Sequence, residues 1–180
     1  STIGKYKVDV MKERILDINP NEEVNAYKCF YLPETRDQFD FSKYDYVVDA
    51  VDTVTAKINL ILQAKEAGTK IICSMGAGNK LEPTQFKVAD ISETSVCPLA
   101  RVMRQECKKR KINDVKVVFS TEEALEPLDN AYKEETVPSE TRPDASVRKT
   151  IPGSTAFVPS VAGLIIAGEV IKDLTKGTRG

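Results

Sequence analysis

Residues 44–53, Tyr-Asp-Tyr-Val-Val-Asp-Ala-Val-Asp-Thr, decide the fold. The first half of this stretch is aromatic or β-branched, which predicts a strand that is apolar enough to be buried on both faces. The strand ends in two carboxylates, Asp49 and Asp52, which are followed by the hydroxyl of Thr53. Ligands of open α/β sheets bind outside the carboxyl ends of parallel strands, so the two acids could hold a metal-bound phosphate. The alternative is that Asp52 or Thr53 only caps the next helix.

Strand and helix patterns alternate on both sides of this stretch. Apolar residues at helical spacing predict four helices, at about residues 8–18, 54–67, 98–109 and 159–174. Strand patterns lie at residues 23–31, 70–75, 84–91 and 115–119. This alternation of strands and helices predicts a single α/β domain. We expect a Rossmann-like, mostly parallel sheet that continues into antiparallel strands, with helices on both faces.

Residues 122–150 differ from the rest of the chain. They contain three prolines and many Glu and Thr residues, but few large apolar side chains. A segment of this composition buries too little surface to offset its loss of entropy on ordering. We therefore expect a mobile crossover loop or lid.

Charge and composition narrow the class of protein. With 26 basic and 27 acidic residues the net charge is −1, which argues against nucleic-acid binding through bulk charge but leaves a local patch open. The chain has no run of about 18 apolar residues, which predicts no membrane association. Its four cysteines form no Cys-x-x-Cys pair, so we expect free thiols, no zinc site and a cytoplasmic location.

Histidine is absent from the sequence. This removes the usual general base, the commonest metal ligand and every nucleophile activated by an imidazole. Any chemistry must therefore use carboxylates, Lys, Arg, Thr, Tyr or Cys, or consist mostly of positioning.

Further polar and glycine positions are expected at the same sheet edge. Ser74, Gly76 and Gly78 follow the strand after Asp49. The two glycines either admit a ligand or another backbone segment, or simply form a connecting loop. Lys7, near the start of the first helix, would ordinarily be a solvated surface residue.

Several segments, taken in order, resemble the HesA/MoeB/ThiF superfamily of adenylating enzymes. The general matches are Gly4-Lys5-Tyr6-Lys7, Arg14-Ile15, Ile18-Asn19-Pro20 and Asp49-Ala50-Val51-Asp52-Thr53. Finer matches resemble one branch, the tRNA threonylcarbamoyladenosine dehydratases (TcdA, also called CsdL). They are Gly76-Ala77-Gly78, Pro83-Thr84-Gln85, Val88-Ala89-Asp90, Pro98-Leu99-Ala100, Phe119-Ser120-Thr121-Glu122 and Gly153-Ser154.

The resemblance implies a site for ATP and Mg²⁺. By position, Lys7 resembles the lysine that meets the nucleotide phosphates, and Asp52 resembles the acid near the Mg²⁺-bound phosphates. Thr53 stands where many members have Asn, and Asp49 belongs to the same signature. The resemblance therefore implies Lys7 and Asp52 as catalytic residues, with Asp49 and Thr53 also at the nucleotide.

The resemblance also implies the reaction and the partners. A tRNA threonylcarbamoyladenosine carboxylate would be adenylated by ATP and then cyclised with loss of AMP, in a homodimeric enzyme. Candidate tRNA contacts, each more often a solvated surface group, are Lys108-Lys109-Arg110-Lys111, Arg142, Arg148 and Lys149. Two alternatives stay open: an activator of a ubiquitin-like or sulfur-carrier protein, and a non-catalytic dimeric scaffold.

The cysteines mark departures from relatives. Cys97 stands where relatives tend to have Asp, and Val117 stands where some dehydratases have a cysteine. A catalytic thiol is therefore not available at residue 117. We interpret Cys73 and Cys97 as packing residues, because small buried cysteines are common.

The nucleotide glycine loop of the superfamily has no match here, since no Gly-x-Gly-x-x-Gly follows a strand near the start. The resemblance implies that this loop, the ribose-binding acid and an arginine finger lie upstream of Ser1, and that residues 1–180 alone are inactive. We therefore expect calorimetric titration of residues 1–180 with ATP to show very weak binding or none. Micromolar affinity would contradict this expectation.

Overall fold

In the computed structural model, which describes residues 2–126 and 152–177, the chain forms two units, Ser1–Phe39 and Asp40–Gly180. The first unit contains α1, Lys7–Ile18, which ends before Asn19-Pro20 as predicted. Lys28 lies against α1, with its Nζ 2.7 Å from Asp9 Oδ2 and 4.9 Å from the centroid of the Tyr6 ring. These contacts link Lys28 to the first turn of α1 within this unit.

The predicted strand at residues 23–31 is wrong. In the structure this segment is irregular, and the described part of the first unit contains no strand with which it could pair. A strand persists only where a neighbour satisfies its backbone groups. Aromatic packing takes the place of pairing here, since the Tyr27 and Tyr31 rings lie 5.0 and 5.8 Å from that of Phe39.

The second unit contains a four-stranded sheet in the order β1-β2-β4-β3. Its elements are β1 Tyr46–Asp49, α2 Val54–Ala67, β2 Lys70–Ser74, β3 Phe86–Asp90, α3 Pro98–Lys109, β4 Lys116–Ser120 and α4 Val158–Leu174. β1, β2 and β4 are parallel, whereas β3 pairs with β4 in the antiparallel direction. This topology confirms the predicted α/β fold with a mostly parallel sheet.

Helices cover both faces of the sheet. α2 packs on β1 and β2 and also contacts α3, whereas α4 packs on β2 and β4. Beneath α4, Ile72, Val118 and Ile166 form a buried apolar cluster. The register places Asp49 opposite Cys73, so both side chains point to the α2 face, away from this cluster.

The prediction that the first strand is buried on both faces is wrong. Val48 is 49% exposed and Tyr44 is 44% exposed. β1 lies at one edge of the described sheet, while α4 packs over its neighbours β2 and β4. Its α4-side face is therefore only partly covered.

The predicted lid at residues 122–150 lies mostly outside the described residues, which include only 122–126 of it. None of the helices in the described ranges has the combined length and apolar character of a membrane-spanning helix.

A polar cluster joins α4 to the amino ends of the strands. Tyr46 Oη donates a hydrogen bond to Asp173 Oδ2 at 2.7 Å, and Lys116 Nζ lies 3.0 Å from the same oxygen and 2.7 Å from Glu169. The hydrogen bonds from Tyr46 and Lys116 lower the pKa of the Asp173 carboxyl. Burial, with a further contribution from Asp173, raises the pKa of Tyr46. The cluster thus stabilises the ionised carboxylate in the folded state.

We expect Asp173→Ala to lower the free energy of unfolding at pH 7 by about 1–3 kcal/mol, because charge-assisted hydrogen bonds are lost. The folded pKa of Asp173 is depressed, so its contribution is present above the unfolded pKa of about 3.9 and is lost as the pH falls below it. Urea unfolding at pH 7 and pH 3 should show a smaller difference between wild type and variant at pH 3. Asp45→Ala, at an exposed aspartate before β1, is the control. An Asp173 effect of equal size at both pH values would contradict this.

Candidate active site

A buried ion pair lies at the carboxyl end of β1. Lys57 Nζ is 3.0 Å from Asp49 Oδ2, and both side chains are fully buried. Lys57 projects from α2, and its Nζ also donates a hydrogen bond to the Ser74 carbonyl oxygen, at the end of β2, at 2.6 Å. One ammonium group therefore joins the ends of two neighbouring strands to the helix that packs on them.

The turn from β1 to α2 begins at this pair and carries the two exposed candidate residues. Asp49 Oδ1 accepts a hydrogen bond from the Val51 backbone amide at 3.1 Å. Asp52 and Thr53 follow directly and are exposed at the carboxyl edge of the sheet, as predicted. Thr53 is the N-cap residue of α2, yet its side chain makes no capping hydrogen bond. The structure therefore gives no support to the alternative that the Thr53 hydroxyl caps the helix.

Asp49 differs from the other predicted nucleotide contacts because its side chain has no exposed surface. Both carboxylate oxygens have partners in the protein, Lys57 and the Val51 amide. A direct contact between Asp49 and a nucleotide is not tested by this arrangement and stays a prediction. What the structure shows is a buried carboxylate that is hydrogen-bonded to the backbone of the turn.

Lys7 is the first residue of α1, is exposed, and lies in the first unit. Its backbone follows Tyr6, which occupies the N-cap position in an extended conformation. Lys7 belongs to the first unit and Asp52 to the second. The joint action of Lys7 and Asp52 on one nucleotide remains a prediction.

The glycine loop after β2 is explained by the packing of the chain on itself. A Cβ added to Gly78 would lie 2.9 Å from Pro152 Cβ, which is closer than real side chains approach. Next to it, Asn79 and Gly153 exchange two hydrogen bonds, from Asn79 N to the Gly153 carbonyl at 2.8 Å and from Gly153 N to Asn79 Oδ1 at 2.5 Å. Gly78 therefore permits close approach of another backbone segment, one of the two roles considered from the sequence.

Glu122 also restrains this loop. Its carboxylate accepts hydrogen bonds from the backbone amides of Leu81 and Glu82 at 2.8 and 3.0 Å, and its carbonyl accepts one from buried Lys80. In the sequence Glu122 stands out only as the last residue of the motif Phe119-Ser120-Thr121-Glu122, which does not predict this role. Contacts across about 40 positions leave no local pattern in a sequence.

The role of Lys57 is likewise not predicted from the sequence. The residue stands at an inward position of α2, next to Ile58 and one turn before buried Ile61, in a helix whose other inward residues are apolar. A lysine is almost never fully buried unless it is paired, so this position was a usable signal for a buried acid nearby.

The buried cysteines are packing residues, as interpreted. Cys73 and Cys97 are 0% and 1% exposed. Burial, followed by the nearby Asp49 carboxylate, raises the pKa of the Cys73 thiol well above its usual value. Val117 is buried in β4 directly opposite Cys73. Cys29, in contrast, is exposed. A neutral, enclosed thiol such as Cys73 is a poor nucleophile.

The oxygen donors at the turn suit Mg²⁺. Asp52 offers an exposed carboxylate and Thr53 a hydroxyl, both hard ligands. No cluster of three or more acidic, Cys or His side chains that could hold a metal occurs in residues 2–126 and 152–177. This combination fits an ion that arrives with nucleotide phosphates and takes one or two protein ligands.

A model of the ThiF family matches residues 1–179. The chain belongs to the ThiF family. A tRNA threonylcarbamoyladenosine dehydratase of Bacillus subtilis (strain 168) is 46% identical over 179 residues, which cover 98% of this chain and 68% of that protein. The resemblance inferred from the motifs is thereby confirmed.

Solved structures of the Escherichia coli dehydratase TcdA share the fold. The complex with AMP superposes with a TM-score of 0.78 at 28% identity, and covers 98% of this chain and 68% of the E. coli chain. The complex with ATP gives a TM-score of 0.76 at 27% identity, with the same coverage. The chain thus spans about two thirds of the length of these relatives.

Proposed function

We propose that the protein uses ATP to adenylate the carboxylate of tRNA threonylcarbamoyladenosine and then cyclises this group with loss of AMP. The observation that carries the proposal is the exposed Asp52–Thr53 pair at the carboxyl edge of the sheet, next to a buried ion pair. It is supported by the dehydratase relative at 46% identity and by the E. coli relative solved with ATP and with AMP. We propose a cytoplasmic location, which is compatible with a tRNA substrate.

The absence of histidine is compatible with this chemistry. The substrate carboxylate is ionised at neutral pH, so its attack on the α-phosphate of ATP needs no general base. An oxygen–phosphorus bond forms and pyrophosphate leaves. An atom of the carbamoyl group then attacks the activated carbonyl carbon, the bond from that carbon to the AMP oxygen breaks, and a carbamoyl N–H proton passes to water or to the leaving AMP. Catalysis of these steps consists of positioning and of neutralising charge on the phosphates.

Each candidate residue has a defined task in this scheme. Lys7 binds the nucleotide phosphates and offsets their negative charge. Asp52, with the Thr53 hydroxyl beside it, would hold Mg²⁺, which would supply charge neutralisation at the phosphates. No protein nucleophile is required, which agrees with the burial of three of the four cysteines.

Two further parts of the proposal concern partners. The enzyme is a homodimer, as the resemblance implies. Activation of a ubiquitin-like or sulfur-carrier protein is the alternative reaction, and it usually depends on a transfer cysteine or a zinc site. Among the cysteines only Cys29 is exposed, so undiminished tRNA cyclisation by Cys29→Ser would favour the dehydratase.

We expect Asp52→Asn and Lys7→Ala in the full-length protein to lower kcat for tRNA cyclisation by about 100-fold or more, because each removes charge stabilisation at the phosphates. The measurement is ATP-dependent conversion of threonylcarbamoyladenosine-bearing tRNA, followed by mass spectrometry of the nucleosides. Thermal melting should change little, since both side chains are exposed.

Matched controls separate these roles from general charge effects. Asp45→Asn alters an exposed aspartate at the opposite end of β1, and Lys12→Ala alters an exposed lysine of α1. Both should retain wild-type turnover. Undiminished turnover in Asp52→Asn or Lys7→Ala would remove that residue from the proposed site.

The tRNA surface is proposed at the end of α3. Of the four consecutive basic residues there, Lys109 and Arg110 are paired with Glu106, which lies within one turn of both. Lys108 and Lys111 are exposed at the same helix end, and neither forms an ion pair with another described residue. The other basic candidates, Arg142, Arg148 and Lys149, lie outside the described residues.

We expect the double variant Lys108→Ala/Lys111→Ala to weaken tRNA binding and to reduce the slope of log K against log salt by about 1–2, since two phosphate contacts are lost. Binding measured across a salt series would check this, with Lys87→Ala/Lys176→Ala as a control at two other exposed lysines. The affinity for ATP should stay unchanged. An equal effect in both double variants would mean that the α3 end is no specific tRNA surface.

A further inference from the structure

We infer that Lys57 and Asp49 are positioning residues, which fix the turn that presents Asp52 and Thr53. They act through the backbone of Val51, and this role requires no contact of either side chain with substrate or nucleotide. Because the turn is the one expected to hold the nucleotide, this role depends on the proposed function.

Lys57 connects three elements at one point. Its Nζ lies 3.0 Å from Asp49 at the end of β1 and 2.6 Å from the Ser74 carbonyl at the end of β2, while its backbone belongs to α2. In a medium of low dielectric constant these charge-assisted bonds are short and directional. The end of β1 is therefore fixed relative to both the next strand and the next helix.

Asp49 transmits this constraint to the turn. One carboxylate oxygen accepts from Lys57 and the other accepts from the Val51 amide at 3.1 Å. Rotation of the carboxylate would break both bonds together. The Val51 amide precedes Asp52 by a single residue, so its position limits where the Asp52 carboxylate and the Thr53 hydroxyl can lie.

A purely stabilising role is the competing explanation. Burying two charges carries a large desolvation cost, and well-packed apolar residues of similar volume often replace such pairs without loss of stability. An apolar pair would fill the same space, but it could not accept a hydrogen bond from Val51. Positioning and stability therefore predict different outcomes for two designed double variants.

The first variant, Asp49→Asn/Lys57→Met, removes both charges but keeps a side-chain oxygen that can accept from the Val51 amide. The second, Asp49→Leu/Lys57→Met, removes both charges and that acceptor. Neither leaves an unpaired buried charge, which avoids the large destabilisation of a single substitution. Both are made in the full-length protein and compared by thermal melting, by kcat and KM for ATP, and by amide hydrogen exchange at Val51.

We expect the Leu/Met variant to have a kcat for tRNA cyclisation at least about tenfold below that of the Asn/Met variant, since misplacing a catalytic group by about 1 Å is costly. Exchange at the Val51 amide should be about 3- to 10-fold faster in the Leu/Met variant, which corresponds to the loss of one hydrogen bond. Melting temperatures of the two variants should be similar.

Ile61→Ala is the control for lost stability. Ile61 is fully buried on α2, one turn beyond Lys57, and its truncation leaves a cavity. This variant should melt at a lower temperature than wild type and keep its kcat below the unfolding transition.

Each outcome decides a separate point. Equal kcat in the two double variants, with unequal Val51 exchange, would show that the turn does not govern turnover and would overturn the inference. Equal Val51 exchange would overturn the proposed link between the ion pair and the turn. Absence of tRNA cyclisation by the wild-type protein would instead overturn the proposed function, and the exchange comparison would still report on the ion pair.

Discussion

The arrangement of the carboxyl edge depends on one buried ion pair, Lys57 with Asp49. The two charges lie 3.0 Å apart with no exposed surface. Their desolvation is offset by their mutual attraction and by two further hydrogen bonds, from Lys57 to the Ser74 carbonyl and from the Val51 amide to Asp49. These bonds connect the end of β1 to α2, to the end of β2 and to the turn that follows β1. Among the described residues, no buried side-chain nitrogen or oxygen lacks a hydrogen-bond partner.

The neighbouring loop is restrained in a different way. Residues 76–82 have no regular structure, yet Glu122 binds the amides of Leu81 and Glu82 through its side chain. Asn79 binds Gly153, and Gly78 packs against Pro152. Loops that line ligand sites are usually the least stable parts of a protein. Here the side chain of Glu122 and the backbone of Gly153 restrain this loop, which should narrow the range of conformations beside the candidate site.

Most helices and strands could be predicted from the sequence, but which strands find a pairing partner and which faces are buried could not. α2 and α3 match their predicted bounds because apolar periodicity, Gly68 and Pro98 mark where they begin or end. The segment at residues 23–31 carried a strand pattern, but pairing depends on a neighbour that local sequence cannot reveal. The exposure of Val48 has the same origin, since an apolar run indicates capacity for burial and not what covers it.

The candidate site could be predicted only where its residues are adjacent in sequence. Asp52 and Thr53 follow a recognisable strand, so their place at the sheet edge was predictable. Lys57 binds Asp49 eight positions away and Ser74 seventeen positions away, and Glu122 binds Leu81 across 41 positions. These contacts arise from topology: adjacent parallel strands end at the same edge, and a helix that follows one strand can reach both.

In the proposed reaction the substrate carboxylate attacks without a general base, so residues 1–180 would contribute geometry and charge to the rate enhancement. Exposed side chains on a turn are poorly suited to that task unless the turn is held from within. A buried lysine at the start of α2 meets this requirement, because its stem packs in the core while its ammonium group reaches two strand ends. The neighbouring Cys73 thiol, whose pKa is raised by burial, adds no second negative charge beside Asp49. The Asp49 carboxylate is paired with Lys57, and its second oxygen accepts the hydrogen bond from the Val51 amide, so its orientation is set by contacts within the fold.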